Sequence, residues 1–208
     1  MEPKNPESWW QDRLGEHVSL ETFASWLGDV NAPSRMMFRR HVVDQGYESV
    51  LDVPCGLCID FFGFQEDGIQ IRYQGLDVTP KLVDRAVSLG VPVQRGSIEA
   101  IPFEDASFDV CHSRHILEHL ESYEKALPEL IRVARNEVFV VFFIRPSEDG
   151  EDWIHCRDFE GHPVYENRYS RPKLETFLKK FPKIDCFGWE VVSEYEEILH
   201  LYLQPKNE

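Results

Sequence analysis

The sequence predicts an α/β fold on a mostly parallel sheet, and three observations predict it. From Ser49 onward, short apolar strands alternate with amphipathic helices, a rhythm that implies right-handed crossovers between parallel strands. The first strand, Ser-Val-Leu-Asp-Val at 49–53, ends in an acidic residue and enters a turn at Gly56, and a second carboxylate, Asp77, follows 21 positions later at the end of the next strand. Near the C-terminus, two strand candidates at about 189–194 and 198–203 read as an antiparallel hairpin.

Each element has its own warrant. Trp9, Trp10, Phe23, Trp26 and Leu27 load the first thirty residues with aromatic and apolar weight, and Leu20, Phe23, Ala24 and Leu27 recur at helical spacing, so an N-terminal helical cap is expected over 1–47. A helix from about Ser34, as N-cap, to Gln45 ends at Gly46. Strands are expected at 49–53, 69–76, 91–95, 108–112 and 138–144, the last apolar enough to be covered on both faces. Thr79 and Pro80 start a helix that buries Leu82, Val83, Ala86 and Val87 and stops at Gly90. Another helix lies within 116–135, starting or bending near Lys125 because Pro128 cannot sit deep in a helix. The stretch 146–170 shows no period and is too long for a plain connection. A helix at about 171–180 precedes the hairpin. The chain thus divides, within one domain, into the cap, a core at 48–145, an insertion at 146–170 and a closing helix and hairpin at 171–208.

Composition excludes several classes. With 22 Lys+Arg against 37 Asp+Glu and a net charge of −15, the field repels a phosphate backbone, so no nucleic-acid partner is expected. No apolar run approaches the roughly 20 residues that cross a bilayer, and the start lacks a signal pattern, so a cytoplasmic protein without a membrane partner is expected. Cys55 and Cys58 form a C-x-x-C, but no second cysteine pair completes a zinc or redox site, and the two read as small apolar fillers of a turn.

The turn Pro54-Cys55-Gly56-Leu57-Cys58 lacks the G-x-G-x-x-G glycines that cradle a pyrophosphate, and no P-loop Lys follows it. S-Adenosylmethionine carries a nucleoside without phosphate and a sulfonium that an acidic site tolerates. From Ser49 to about Glu137 the chain resembles the class I S-adenosylmethionine-dependent methyltransferases, in the group common among small-molecule enzymes. Val50-Leu51-Asp52-Val53-Pro54-Cys55-Gly56 is similar to the family's first motif, whose turn lies under the methionine portion. Gly75-Leu76-Asp77-Val78-Thr79-Pro80 is similar to the second, in which the carboxylate takes both ribose hydroxyls. The runs 96–103 and 105–110 resemble the stretch that lines the adenine and leads into the fourth strand, and 112–120 resembles the segment where substrate and donor meet.

The resemblance implies a Rossmann-like three-layer sandwich with a seven-stranded sheet, S-adenosyl-L-methionine as cofactor, and donor contacts from Asp52, Pro54, Gly56, Asp77, Val78, Ser97, Ile98, His112 and Ser113. Two positions depart from the family pattern. Cys58 stands where a second glycine is usual, and Ser97 where an Asp commonly meets the adenine, which removes charge assistance from that bond.

Methyl transfer needs alignment and exclusion of water, with a base only where the acceptor must lose a proton. His115, then His155, are the candidates to take that proton or orient the acceptor, against the plainer role of packing a helix. His115 and His119 lack a third metal ligand nearby, so no metal is expected. Trp10, Trp153, Tyr165 and Tyr169 are candidate walls of an acceptor pocket; Arg145 and Arg35 are candidates to pair with a carboxylate. Three readings follow: a methyltransferase acting on oxygen or nitrogen of a small molecule, one acting on protein or RNA, and a non-catalytic cofactor-binding module.

Overall fold

The computed structural model describes residues 7–13 and 19–204, with the side chains of 12, 13, 23, 26 and 27 left aside. The side-chain expectations for Phe23, Trp26 and Leu27 lie outside the described residues. The main sheet has seven strands in the order β3-β2-β1-β4-β5-β9-β8. In chain position these are β1 (Ser49–Asp52), β2 (Arg72–Asp77), β3 (Val93–Arg95), β4 (Phe108–Arg114), β5 (Ala134–Phe142), β8 (Ile184–Val191) and β9 (Glu197–Leu203). β1 to β5 are parallel, and β9 pairs antiparallel with both β5 and β8.

Two-residue alternation sorts the strand side chains into two cores, which makes the sandwich three layers deep. Leu51, Cys111, Val138, Val140, Leu199 and Leu201 pack on one face with Leu127 and Leu130 of α6 (Ala126–Val133) and Leu174 of α7 (Arg171–Leu178). Val50, Val110, Phe139, Val141 and Ile198 pack on the other with Phe38 and Val42 of α3 (Pro33–Gln45), Phe64 of α4 (Ile59–Glu66) and Ala86 of α5 (Pro80–Ser88). The N-terminal cap is α1 (Ser8–Arg13) and α2 (Leu20–Leu27).

Several boundaries moved for identifiable reasons. α3 starts at Pro33 with Ala32 as N-cap, because proline presets the first turn; Ser34 is instead buried, and its hydroxyl donates to Glu196 Oε1 at 3.2 Å. Pro128 falls in the first turn of α6, where a missing N–H costs nothing, and Lys125 is the N-cap. β5 begins four residues before the expected Val138, its first residues Ala134–Glu137 mixing polar with apolar. The insertion is not structureless: β6 (Cys156–Phe159) and β7 (His162–Tyr165) form a separate two-stranded sheet. Its turn, Glu160-Gly161, has both residues at positive φ, 53° and 82°, the primed geometry that matches strand twist.

Candidate active site

A cavity of about 200 Å³ opens at the carboxyl ends of the parallel strands, where open α/β sheets bind ligands. Gly56 and Asp77 line the same cavity, with Asp52, Pro54, Val78 and Ile98. Gly56 holds φ at 53°, a left-handed conformation that brings backbone rather than side chain to the cavity. Asp77 is buried and already anchors that loop: Gly56 N–H donates to its Oδ2 and Thr79 N–H to its Oδ1, each at 2.9 Å. Burial pushes its pKa up, partly opposed by those two backbone donors. A carboxylate accepts about four bonds, so lone pairs remain for two hydroxyls.

Cys58, where the family pattern has glycine, sits at φ 56°, ψ 36°. The backbone thus keeps the glycine conformation with a fully buried thiol packed among Phe64 and Tyr73. Asp52 accepts from Tyr73 Oη at 2.7 Å and pairs with His112 Nδ1 at 3.0 Å. His112, stacked on Phe38 at 3.9 Å, and Ser113 are fully buried off the cavity, and His112 Nε2 and Ser113 Oγ have no hydrogen-bond partner among the described residues. Ser97 also lies off the cavity, its hydroxyl donating to Glu7 of the N-terminal segment while Gly96 and Ile98 face inward.

Elsewhere in the lining, Trp10, Ile116, His119, Leu120 and Phe143 form a largely apolar wall, with the Trp10 and His119 rings 5.5 Å apart and those of His119 and Phe143 5.1 Å apart. His115 lines the cavity in a left-handed conformation, φ 57°, and its Nε2 lies 2.7 Å from Glu196 Oε1. Glu196 also accepts from Arg114 at 2.7 Å; the His115 and Arg114 partners hold its pKa at about 2 against the opposing effect of burial. Burial, reinforced by the Arg114 and Arg35 charges, lowers His115 to about 4. The stable arrangement near neutrality is therefore a carboxylate facing a neutral imidazole that donates from Nε2 and keeps a lone pair on Nδ1.

The other acceptor candidates lie elsewhere. Trp153 is 56% exposed and stacks on His155 with centroids 5.0 Å apart, and neither lines the cavity. Tyr165 supplies its carbonyl to His119 Nδ1 at 2.8 Å, one step behind the wall. Tyr169 is a core residue whose hydroxyl donates to the Leu117 carbonyl at 2.7 Å. Arg145 lies 3.8 Å from Glu197, away from the cavity. Arg35 does line it, paired with buried Asp60.

Sequence reasoning missed Asp60, Arg114 and Glu196. Asp60 carried a faint signal, an acidic residue in the first turn of the helix after the Gly56 loop. Glu196, in the turn between β8 and β9, carried none. Among the described residues, four carboxylates line the cavity, Glu7, Asp52, Asp60 and Asp77, against two guanidiniums, Arg35 and Arg114, an excess that suits a cationic ligand. The remaining lone pairs of Asp77, the backbone face at Gly56 and this charge balance fit a nucleoside ending in a sulfonium.

A parallel sheet closed by an antiparallel hairpin, with a cleft at its carboxyl ends and a carboxylate closing the second strand, defines a nucleoside-cofactor α/β domain. Comparison with known proteins is more specific. Residues 51–142 match the methyltransferase-domain family, and the fold is shared with solved S-adenosylmethionine-dependent methyltransferases. Ajmaline N-methyltransferase of Rauvolfia serpentina is 27% identical over 112 residues, 49% of this chain and 37% of that protein. Phthiotriol/phenolphthiotriol dimycocerosates methyltransferase 1 of Mycobacterium ulcerans (strain Agy99) is 31% identical over 130 residues, 59% of this chain and 46% of that one. The chain thus spans less than half the length of either relative. The solved 1,6-didemethyltoxoflavin-N1-methyltransferase of Burkholderia thailandensis, with 1,6-didemethyltoxoflavin and S-adenosylhomocysteine bound, superposes with a TM-score of 0.64 at 17% identity, over 88% of this chain and 82% of that one. No helix among the described residues is long and apolar enough to cross a membrane.

Proposed function

We propose that the protein transfers the methyl group of S-adenosylmethionine to a nitrogen or oxygen atom of a small molecule. The observation that carries this reading is that the Gly56 loop, Asp77 and the aromatic wall of Trp10, His119 and Phe143 all face one cavity. S-Adenosylmethionine supplies a methyl group on a sulfonium that is already activated. Asp77 would take its ribose hydroxyls, the Pro54–Gly56 turn with Asp52 would face its amino-acid end, and Val78 and Ile98 would flank the adenine. The apolar wall would hold the acceptor and exclude water, which strengthens the alignment the reaction needs.

His115 orients the acceptor rather than removing its proton. With a pKa of about 4 its conjugate acid is too acidic to hold a proton near neutrality, whereas a base works best with a pKa near the operating pH. The acceptor atom therefore brings its own lone pair, as an unprotonated amine, a ring nitrogen or an already ionised oxygen does. The names of ajmaline N-methyltransferase and the didemethyltoxoflavin enzyme point to nitrogen acceptors, in line with that constraint. Calorimetry with S-adenosylmethionine and S-adenosylhomocysteine, followed by incubation of metabolite extracts with labelled donor, tests the reading. Binding with label in a low-molecular-weight product supports it; label in polymer moves the acceptor to protein or RNA, and folded protein that binds neither compound overturns it.

A further inference from the structure

We propose that His41, Glu137 and His200 form a site for a divalent transition metal of the zinc type, separate from the methyl-transfer cleft. None of the three lines the cavity. They come from three elements, α3, β5 and β9, and converge on the α3 face of the sheet. His41 Nε2 lies 2.7 Å from Glu137 Oε2, and His200 Nδ1 lies 2.8 Å from Glu137 Oε1.

The surroundings of His200 point to a cation. Its Nε2 is 3.3 Å from Glu190 Oε2 while its Nδ1 faces Glu137, so the ring stands between two carboxylates. A neutral imidazole has one N–H and can serve only one of them; its other lone pair then meets an anion. A cation ligated by both Nδ1 and the Glu137 carboxylate resolves this, because Nε2 is then the N–H that serves Glu190. Proteins build metal centres in this way: one ring nitrogen ligates, and the other donates to a carboxylate that fixes the tautomer. Glu190 has that place. Glu137 is fully buried, and Tyr47 Oη donates to its Oε2 at 2.8 Å, which holds the carboxylate in orientation.

The dimensions suit a small ion. The ligand atoms lie within 4.8 Å of one another, so a cation midway between the two ring nitrogens would be at most about 2.4 Å from each (half of 4.8), against roughly 2.0–2.1 Å for zinc–histidine bonds. Two imidazoles and a carboxylate are a donor set for zinc, with a fourth position left for water. His41 is 17% and His200 9% exposed, so an ion can reach the site from solvent. Metal uptake is proton-balanced for neutral rings: each ligating nitrogen gives up its hydrogen, which moves to the other nitrogen of the same ring, and an imidazolium releases one proton to solvent.

The test is titration of chelator-treated full-length protein with Co²⁺, followed by visible absorption, and with Zn²⁺, followed by calorimetry. The expected result is one ion per chain, visible bands of a low-symmetry cobalt site, and at least tenfold weaker binding in His41→Ala and in His200→Ala. Glu190→Gln changes a half-exposed side chain that leaves the core intact, and should weaken binding roughly tenfold or more. S-Adenosylhomocysteine affinity should be unchanged in all three variants, which separates this site from the methyl-transfer reading. Absence of cobalt bands in the folded wild type, or affinity that survives His41→Ala and Glu190→Gln, overturns the proposal.

Discussion

The two sides of the cleft are built by different means. On the donor side, Asp52, Gly56, Asp77 and Ile98 come from strand ends or the turns just after them, and strand pairing alone sets their relation: Asp52 is in register with Gly75, two residues before Asp77. On the acceptor side, Trp10, His119, Phe143 and the Glu196 that holds His115 come from four places spread over most of the chain. Donor-side geometry therefore follows from the sheet, whereas acceptor-side geometry depends on how the cap and the β8–β9 turn settle on it. On the proposed reading, a shared cofactor and a variable acceptor need that division, since loops can change without disturbing the strands.

Four substitutions would break or sharpen this contrast. Asp77→Ala removes the acceptor of two backbone N–H groups and, on the proposed reading, of the ribose hydroxyls. Loss of charge-assisted bonds is worth about 1.5–3 kcal/mol, so S-adenosylhomocysteine affinity should fall by roughly 10- to 150-fold by calorimetry. Unchanged affinity would remove Asp77 from the donor side.

Glu118 supports the acceptor wall from below. Its Oε1 accepts from the Phe143 and Ile144 N–H groups at 2.7 and 3.2 Å, and burial raises its pKa to about 7. Because the folded pKa lies above the ordinary 4.5, its contribution to stability is fully present below that value and is lost as pH rises towards and past 7. Glu118→Gln should therefore stabilise the protein at pH 8 by on the order of 2 kcal/mol and have little effect near pH 4.5, as read from urea melts at the two pH values. Equal effects at both would show that the carboxyl stays charged.

His115→Ala should lower kcat about tenfold, with donor affinity unaltered, because one orienting hydrogen bond is lost. A loss of 100-fold or more, the range of general bases, would restore the role of proton acceptor. Trp153→Ala, remote from the cavity, should leave kcat and acceptor KM within about twofold, since exposed substitutions away from a site change little. A large rise in KM would place the insertion over the acceptor after all.

The same division explains what could be read from the chain. The strand positions, the Gly56 turn and Asp77 were legible because each rests on local chemistry: apolar runs between turns, a glycine turn, a carboxylate at a strand end. Pro54, Val78 and Ile98 reach the cavity for the same reason, carried there by their neighbours. Trp153, Tyr165 and Tyr169 were expected beside Trp10 because aromatic residues in an irregular stretch resemble pocket walls, yet Tyr169 serves the core and Trp153 faces solvent. Where each ring goes depends on contacts with segments far away in the chain, such as that of Tyr169 with Leu117. Glu196 was invisible because a carboxylate in a hairpin turn looks like any solvated charge until Arg114 and His115 meet it. The β6–β7 hairpin was missed because its turn is Glu-Gly rather than the usual Asn-Gly.

The bond from Gly56 N–H to Asp77 has a consequence for how fast and how tightly a ligand is caught. The turn is tied to the neighbouring strand before anything arrives, so its freezing belongs to the folding reaction and adds little to the entropy lost on association. Cutting that single tether would leave a turn that must be organised anew with every visitor.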